Sequence, residues 1–153
     1  MPLALFGLPE TIAADGETWA LKEEFHVTAA HTPWLADRAD VTLDRAWEEL
    51  SGALVNRRVG LVRVGDELRR AHKDDERTIL VMVHVDGLSD LYSDLSRRLG
   101  ASLASPPTHI TLYTRPGGKA IGIHDESDLH SLTEPLSGAR AAEVRGAMHG
   151  EPP

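Results

Sequence analysis

The stretch "PTHITLYTRPGGKAIGI", residues 107–123, sets a single histidine within a run of apolar and β-branched residues. Polar and apolar side chains alternate along its first half, and the polar set is His109, Thr111 and Tyr113. A period of two sends successive side chains of a strand to opposite faces of the sheet. The stretch therefore predicts a strand with one apolar face and one face that carries an imidazole, a hydroxyl and a phenol.

The same His-x-Thr pattern occurs once more, about 80 residues earlier in the chain. His26-Val27-Thr28 lies in "ETWALKEEFHVTA", residues 17–29, whose alternating pattern predicts another extended segment. Residues i and i+2 of a strand share a face, so each histidine has a threonine hydroxyl beside it. The apolar residue between them anchors the strand to the core. Each motif thus combines one titratable group with one hydrogen-bond donor.

Two amphipathic helices are predicted from apolar residues at i, i+3, i+4 and i+7 spacing. The first begins after Thr42, whose hydroxyl is suited to cap it. The second follows Asp86-Gly87 and ends at Gly100, a residue type that favours helix C-termini. Both helices are expected to bury one apolar stripe.

Strands are also predicted at 59–65 and 78–85, with the charged segment 66–77 as a loop or ragged hairpin between them. Strands and helices do not alternate regularly, as they would in a doubly wound sheet. The pattern therefore favours an α+β fold in which antiparallel strands pack on the helices.

The remaining segments give weaker signals. Residues 30–40, "AHTPWLADRAD", are predicted to be a loop broken by proline, and 119–123 are predicted to form one more strand. A short helix is expected before Pro135. We expect residues 1–138 to form a single domain, followed by a polar C-terminal tail, 139–153, that is ordered only in part.

Composition bounds the classes of function. The chain has 153 residues, no cysteine and a net charge of -8, with no apolar run long enough for a membrane span. Its start lacks the charged region of a signal peptide, so a soluble cytoplasmic protein without membrane contacts is expected. The acidic balance opposes binding of long nucleic acids, which extended basic surfaces usually hold, but a small phosphorylated ligand needs only a few local donors.

Two His-x-Thr motifs at this spacing, with "FHVTA", "PPTHITLYT" and a following "AIGI", make the chain resemble the two-histidine (2H) phosphoesterases, which include RNA-ligase-like and cyclic phosphodiesterase proteins. The resemblance covers residues 17–137. It implies a bilobal α+β fold with antiparallel sheets, flanking helices and a central cleft, with no required metal or other cofactor. It also implies His26 and His109 as the catalytic pair, with Thr28 and Thr111 holding phosphate oxygens.

The chemistry that the resemblance implies suits these residue types. Opening a 2′,3′-cyclic phosphate on a nucleotide or a short RNA end needs a base for water and an acid for the departing ribose oxygen. Imidazole serves in either role near neutral pH, and hydroxyls stabilise the charge on the phosphate oxygens. The sequence leaves open which histidine is the base. Tyr113, on the same predicted face, is a candidate to line the cleft or stack on a base, with packing at the edge of a lobe as its alternative.

Three other functions remain open. The number of histidines suggests a metal site, although ligands at tight helical spacing or a motif carboxylate are missing. The same fold can also serve as a non-catalytic module that binds a nucleotide or an RNA end, or as a ligase that joins RNA ends. His31 lies near the first motif, but its odd offset from His26 predicts that it faces away if the strand continues.

Overall fold

The structure is a computed structural model that describes residues 7–14, 16–55, 57–60 and 62–149. Within these ranges the chain folds into a six-stranded antiparallel sheet with five helices, as the α+β prediction requires. The strands are β1 (Thr11–Ala14), β2 (Glu17–Leu21), β3 (Val62–Lys73), β4 (Glu76–Val85), β5 (His109–Thr114) and β6 (Thr133–Pro135). The helices are α1 (Thr32–Ala39), α2 (Leu43–Leu54), α3 (Leu88–Leu99), α4 (Glu126–Leu132) and α5 (Gly138–Met148).

The strand order is β1-β2-β5-β4-β3-β6, which places β5, residues 109–114 of the stretch 107–123, inside the sheet. Two lobes with separate sheets were expected, whereas the described strands form one continuous sheet. The long β3–β4 hairpin links the two ends of the sheet, because β4 pairs with β5 on one side and with β3 on the other. The two halves of the sequence therefore share one scaffold.

The two predicted amphipathic helices are confirmed as α2 and α3. Thr42 caps α2, with its Oγ1 accepting a hydrogen bond from the Arg45 amide at 3.2 Å. Gly100 ends α3 in the left-handed conformation at φ 65°, which glycine adopts without steric cost. Of the alternatives for the charged segment 66–77, the hairpin is confirmed, since β3 and β4 stay paired to a tight turn at Asp74-Asp75.

The segment predicted as a proline-broken loop is a helix. Pro33 occupies the first turn of α1, where the backbone amide that proline lacks has no intrahelical partner in any case. The helix is closed at its other end by Asp40, in the left-handed conformation, whose amide donates to Ala36 and Asp37. The prediction was wrong because it treated proline as a helix breaker without regard to its position.

The C-terminal region is more regular than its polar composition indicates. Most of the expected tail, residues 139–153, belongs to α5, which buries Ala141 and Val144 against the core; 150–153 lie outside the described residues. A polar composition concealed the narrow apolar stripe of this helix.

Residues 119–123 are not a strand, but Ile121 and Ile123 are buried. No helix in the described ranges is long and apolar enough to cross a bilayer.

The two faces of the sheet are covered differently. The main core lies on the face that α1, α2, α3 and α5 cover, and its largest fully buried side chains include Trp19 and Tyr92. A smaller cluster lies on the opposite face, where Leu80 packs with Ile121 and Ile123. Because few large side chains fill this second face, it has room for a cavity beside the strands.

Candidate active site

The two His-x-Thr motifs meet beside each other in the sheet. Val27 forms an isolated antiparallel bridge with Ile110, the middle residue of the second motif. In an antiparallel pair the flanking residues follow the same register, so His26 lies opposite Thr111 and Thr28 lies opposite His109. Residues far apart in sequence thereby become neighbours.

All four polar side chains of the motifs point to the same face. Val27 and Ile110 pack into the main core under the helices. Side chains alternate along extended backbone, so His26, Thr28, His109 and Thr111 project to the opposite face. This is the face that carries the smaller apolar cluster.

The sequence predicted one extended segment that includes the first motif, but in the structure the motif lies beyond the end of β2. β2 ends at Leu21, which pairs with Tyr113, and the next pairing of this segment with β5 is that of Val27 with Ile110. The chain between Leu21 and Val27 is longer than the part of β5 it runs beside, so it bends outward at 23–24. The bend separates the motif from β2 and leaves His26 exposed.

A cavity of about 270 Å³ opens between the motifs and the segment that follows β5. Its lining residues are His26, Thr28, His31, His109, Thr111, Ala120, Ile121, Gly122, Ile123 and His124. Four of the five site residues that the sequence predicts therefore line one cavity. Such a combination of imidazoles and hydroxyls around a concave, partly apolar surface is typical of a small-molecule site.

His109 is held by the backbone in one tautomer. Its Nδ1 lies 3.2 Å from the carbonyl oxygen of Pro107. A carbonyl oxygen only accepts hydrogen bonds, so Nδ1 donates, and Nε2 of the neutral ring carries a lone pair. Burial lowers the pKa of His109 from its ordinary 6.5; the Pro107 contact opposes this effect, and the nearby His26 and His124 reinforce it. The neutral ring with a bare Nε2 is thus the favoured form at pH 7.

The two motif threonines keep their hydroxyls available. Within the described part of the chain, neither Thr28 nor Thr111 makes a side-chain hydrogen bond, whereas the adjacent Thr108 donates to the Val83 carbonyl at 2.8 Å. Thr28 is exposed and Thr111 lies at the buried floor of the cavity. Both hydroxyls can therefore donate to a ligand in the cavity.

Tyr113, the fifth predicted site residue, lies on the other face of the sheet. β4 residues Ile79 and Leu80 pair with Tyr113 and Thr111, so Leu112 is an extra residue in the β5 strand. Such a bulge reverses the alternation of faces beyond it. Tyr113 is fully buried in the main core, and its hydroxyl donates to the Pro9 carbonyl at 2.9 Å. It does not line the cavity.

Two cavity residues, His31 and His124, were not among the predicted site residues. His31 was expected to face away from the first motif if the strand continued, but the chain turns into α1 at this point. The Thr32-Pro33 pair, typical of a helix start, was the signal that could have shown this turn. His124 lies in an irregular segment after Gly122, where no periodicity in the sequence indicates its direction.

In the ranges that the structure describes, no group of three or more His, Cys, Asp or Glu side chains is arranged to hold a metal ion. Comparisons with family models, with curated proteins and with solved structures find no match to this chain. The paired motifs and the cavity between them are therefore the observations from which a function is inferred.

Proposed function

We propose that this chain is a metal-independent phosphodiesterase that opens 2′,3′-cyclic phosphates of nucleotides or short RNA ends, as a 2H phosphoesterase does, with His26 and His109 as acid and base. The observation that carries the proposal is the Val27–Ile110 bridge, which brings both His-x-Thr motifs to one cavity in antiparallel register. Two imidazoles and two hydroxyls are the groups that an in-line displacement at phosphorus needs.

Burial lowers the pKa of His109, which favours it as the base. Nε2 of neutral His109 takes a proton from water as the water oxygen bonds to phosphorus. The bond from phosphorus to one ribose oxygen breaks, and His26, as imidazolium, gives that oxygen its proton. The product is a ribose phosphomonoester, and the two histidines have exchanged protonation states. Thr28 and Thr111 donate to the non-bridging oxygens, where negative charge is concentrated.

The charge of the cavity supports a singly charged substrate. No arginine or lysine is among the described residues that line the cavity. A cyclic phosphate carries one negative charge, which neutral hydroxyl and imidazole donors can bind at moderate desolvation cost, whereas a phosphomonoester carries nearly two. The cavity therefore suits the cyclic ester better than the product that ring opening forms.

The size of the cavity supports recognition of a terminal group. Its volume of about 270 Å³ lies just below the usual range for small-molecule pockets and is suited to a ribose phosphate, with the base at the rim. The net charge of -8 disfavours extended contact with a polyanion. A mononucleotide or a short RNA end thus suits the cavity better than a long RNA.

The proposal is tested by incubating the full chain with each nucleoside 2′,3′-cyclic phosphate and with a short RNA that ends in a cyclic phosphate, with and without EDTA. We expect ring opening at the same rate in both conditions, measured by chromatography of the phosphomonoester. A rate abolished by EDTA would instead support a metal enzyme. Binding of the cyclic phosphate without product would support a nucleotide-binding module. Formation of a longer RNA as product would indicate end joining.

The pH dependence of kcat/KM decides which histidine is the base. His109 must be neutral to accept a proton, and burial lowers its pKa below 6.5. As pH falls through this lowered pKa, His109 becomes protonated and the rate falls. We therefore expect the acid limb of the profile to have its midpoint below pH 6.5. A rate that keeps rising as pH falls through this region would assign the acid role to His109.

A further inference from the structure

His31 and His124 form a stacked pair at the wall of the cavity, outside both motifs. Their ring centroids are 4.4 Å apart, with 28° between the ring planes. Both residues line the same cavity as the motif histidines. The pair therefore presents two more imidazoles to any ligand that occupies the cavity.

The start of α1 selects the tautomer of His31. His31 is the N-cap residue, and its Nδ1 accepts a hydrogen bond from the Trp34 amide at 3.3 Å. An amide N–H only donates, so Nδ1 must be unprotonated and the proton of the neutral ring lies on Nε2. No described residue accepts a hydrogen bond from this Nε2–H. The neutral His31 ring thus has a free donor at Nε2, because its capping contact occupies Nδ1.

Backbone contacts therefore hold two histidines of one cavity in opposite tautomers. The Pro107 carbonyl makes Nε2 of His109 an acceptor, and the Trp34 amide makes Nε2 of His31 a donor. A base for water and a donor for an anionic ester are the complementary functions that a cyclic phosphate needs in one cavity. In each ring, the backbone contact of Nδ1 determines whether Nε2 of the neutral ring accepts or donates a hydrogen bond.

The stacked pair is positioned by two elements at once. Arg38 of α1 forms an ion pair at 2.8 Å with Asp125, the N-cap of α4, directly after His124. The His124 amide donates to the Asp128 carboxylate at 2.9 Å. A Cβ at Gly122 would lie 2.8 Å from Nε2 of His124, so the glycine leaves room for that ring. His31 is therefore held from the side of α1 and from the side of α4.

We propose that His31 is a substrate-binding residue, whose Nε2–H donates to an oxygen of the bound cyclic phosphate while His124 supports its ring. The inference rests on the proposed function, and it names a recognition residue that lies outside the His-x-Thr motifs. Because the hydrogen bond is made equally to bound substrate and to the transition state, its loss raises KM and leaves kcat nearly unchanged.

The test compares three variants with the wild-type chain, using 2′,3′-cyclic CMP. His31→Ser keeps a good N-cap but removes the ring, and His31→Phe keeps a stacking ring but removes both nitrogens. His130→Ser alters an exposed histidine of α4 outside the cavity. We expect KM to rise about tenfold in both His31 variants with kcat within about twofold of wild type, and no change in His130→Ser. His31→Ser is expected to keep the wild-type Tm.

Histidine ¹⁵N NMR of the wild-type chain gives a readout that does not depend on turnover. We expect His31 to carry its proton on Nε2, and its Nε2 resonance to shift when cyclic CMP binds. Turnover with unchanged KM in both His31 variants overturns the inference and leaves the proposed function standing. If the wild-type chain shows no turnover, the proposed function fails. A shift of the His31 resonance would then still support the inference, and no shift would overturn it.

Discussion

Alanine at His26 or at His109 is expected to lower kcat/KM for ring opening by about 10²–10⁴-fold, the usual contribution of a positioned acid or base. Each histidine lies in the cavity next to the threonine of the other motif. The two histidines therefore occupy different places, and neither can take over the proton transfer of the other. Initial rates with a nucleoside 2′,3′-cyclic phosphate measure the loss. Because both act in one proton-transfer sequence, the double variant should lose little more than the worse single variant.

A matched control separates chemistry from folding. His84 is an exposed histidine of β4 whose Nε2 lies 3.1 Å from an Asp86 carboxylate oxygen, and it does not line the cavity. His84→Ala should keep the wild-type rate, and all three single variants should keep a cooperative unfolding transition. Full activity in His26→Ala or His109→Ala would remove the two-histidine mechanism.

The two motif variants should also differ in their pH profiles. Without His109, the acid limb that we assign to its titration should disappear from any remaining activity. Without His26, that limb should persist at a lower rate. An acid limb that survives in His109→Ala would contradict the role of His109 as the base.

The strength of the local patterns explains which parts of the fold the sequence could predict. α2 and α3 each combine an apolar stripe with a capping residue, and β5 combines alternation with β-branched residues, so several signals agree. The His-x-Thr pair was visible because i and i+2 share a face on any extended segment, even a short one. The pairing of the two motifs could not be predicted from the sequence, since Val27 and Ile110 meet only through the tertiary structure.

Two of the differences from the predictions come from a local change of backbone geometry. The extra residue at Leu112 reverses the face of Tyr113, and nothing in "THITLYT" distinguishes a bulged from a regular strand. The turn into α1 likewise brings His31 to the cavity against its odd offset. A single-residue change of register is enough to move a side chain from site to core.

Ile110→Ala is expected to destabilise the fold by about 2–5 kcal/mol, the usual cost of truncating a fully buried isoleucine. Ile110 has no exposed surface, pairs with Val27 and with Val81, and packs in the main core. Urea unfolding followed by circular dichroism measures the change in free energy of unfolding. Since this side chain anchors the bridge between the motifs, kcat/KM should also fall at temperatures where the variant is fully folded.

Leu112→Ala is the matched control for that second effect. Leu112 is also fully buried in the main core on β5, but it lies at the bulge and not at the bridge between the motifs. The Leu112→Ala variant should lose about as much free energy of unfolding as Ile110→Ala, while the folded variant keeps most of its activity. If both variants, fully folded, lose activity equally, the Val27–Ile110 bridge is not what aligns His26 with His109. A loss confined to Ile110→Ala makes the packing beneath the bridge part of the alignment of the catalytic pair.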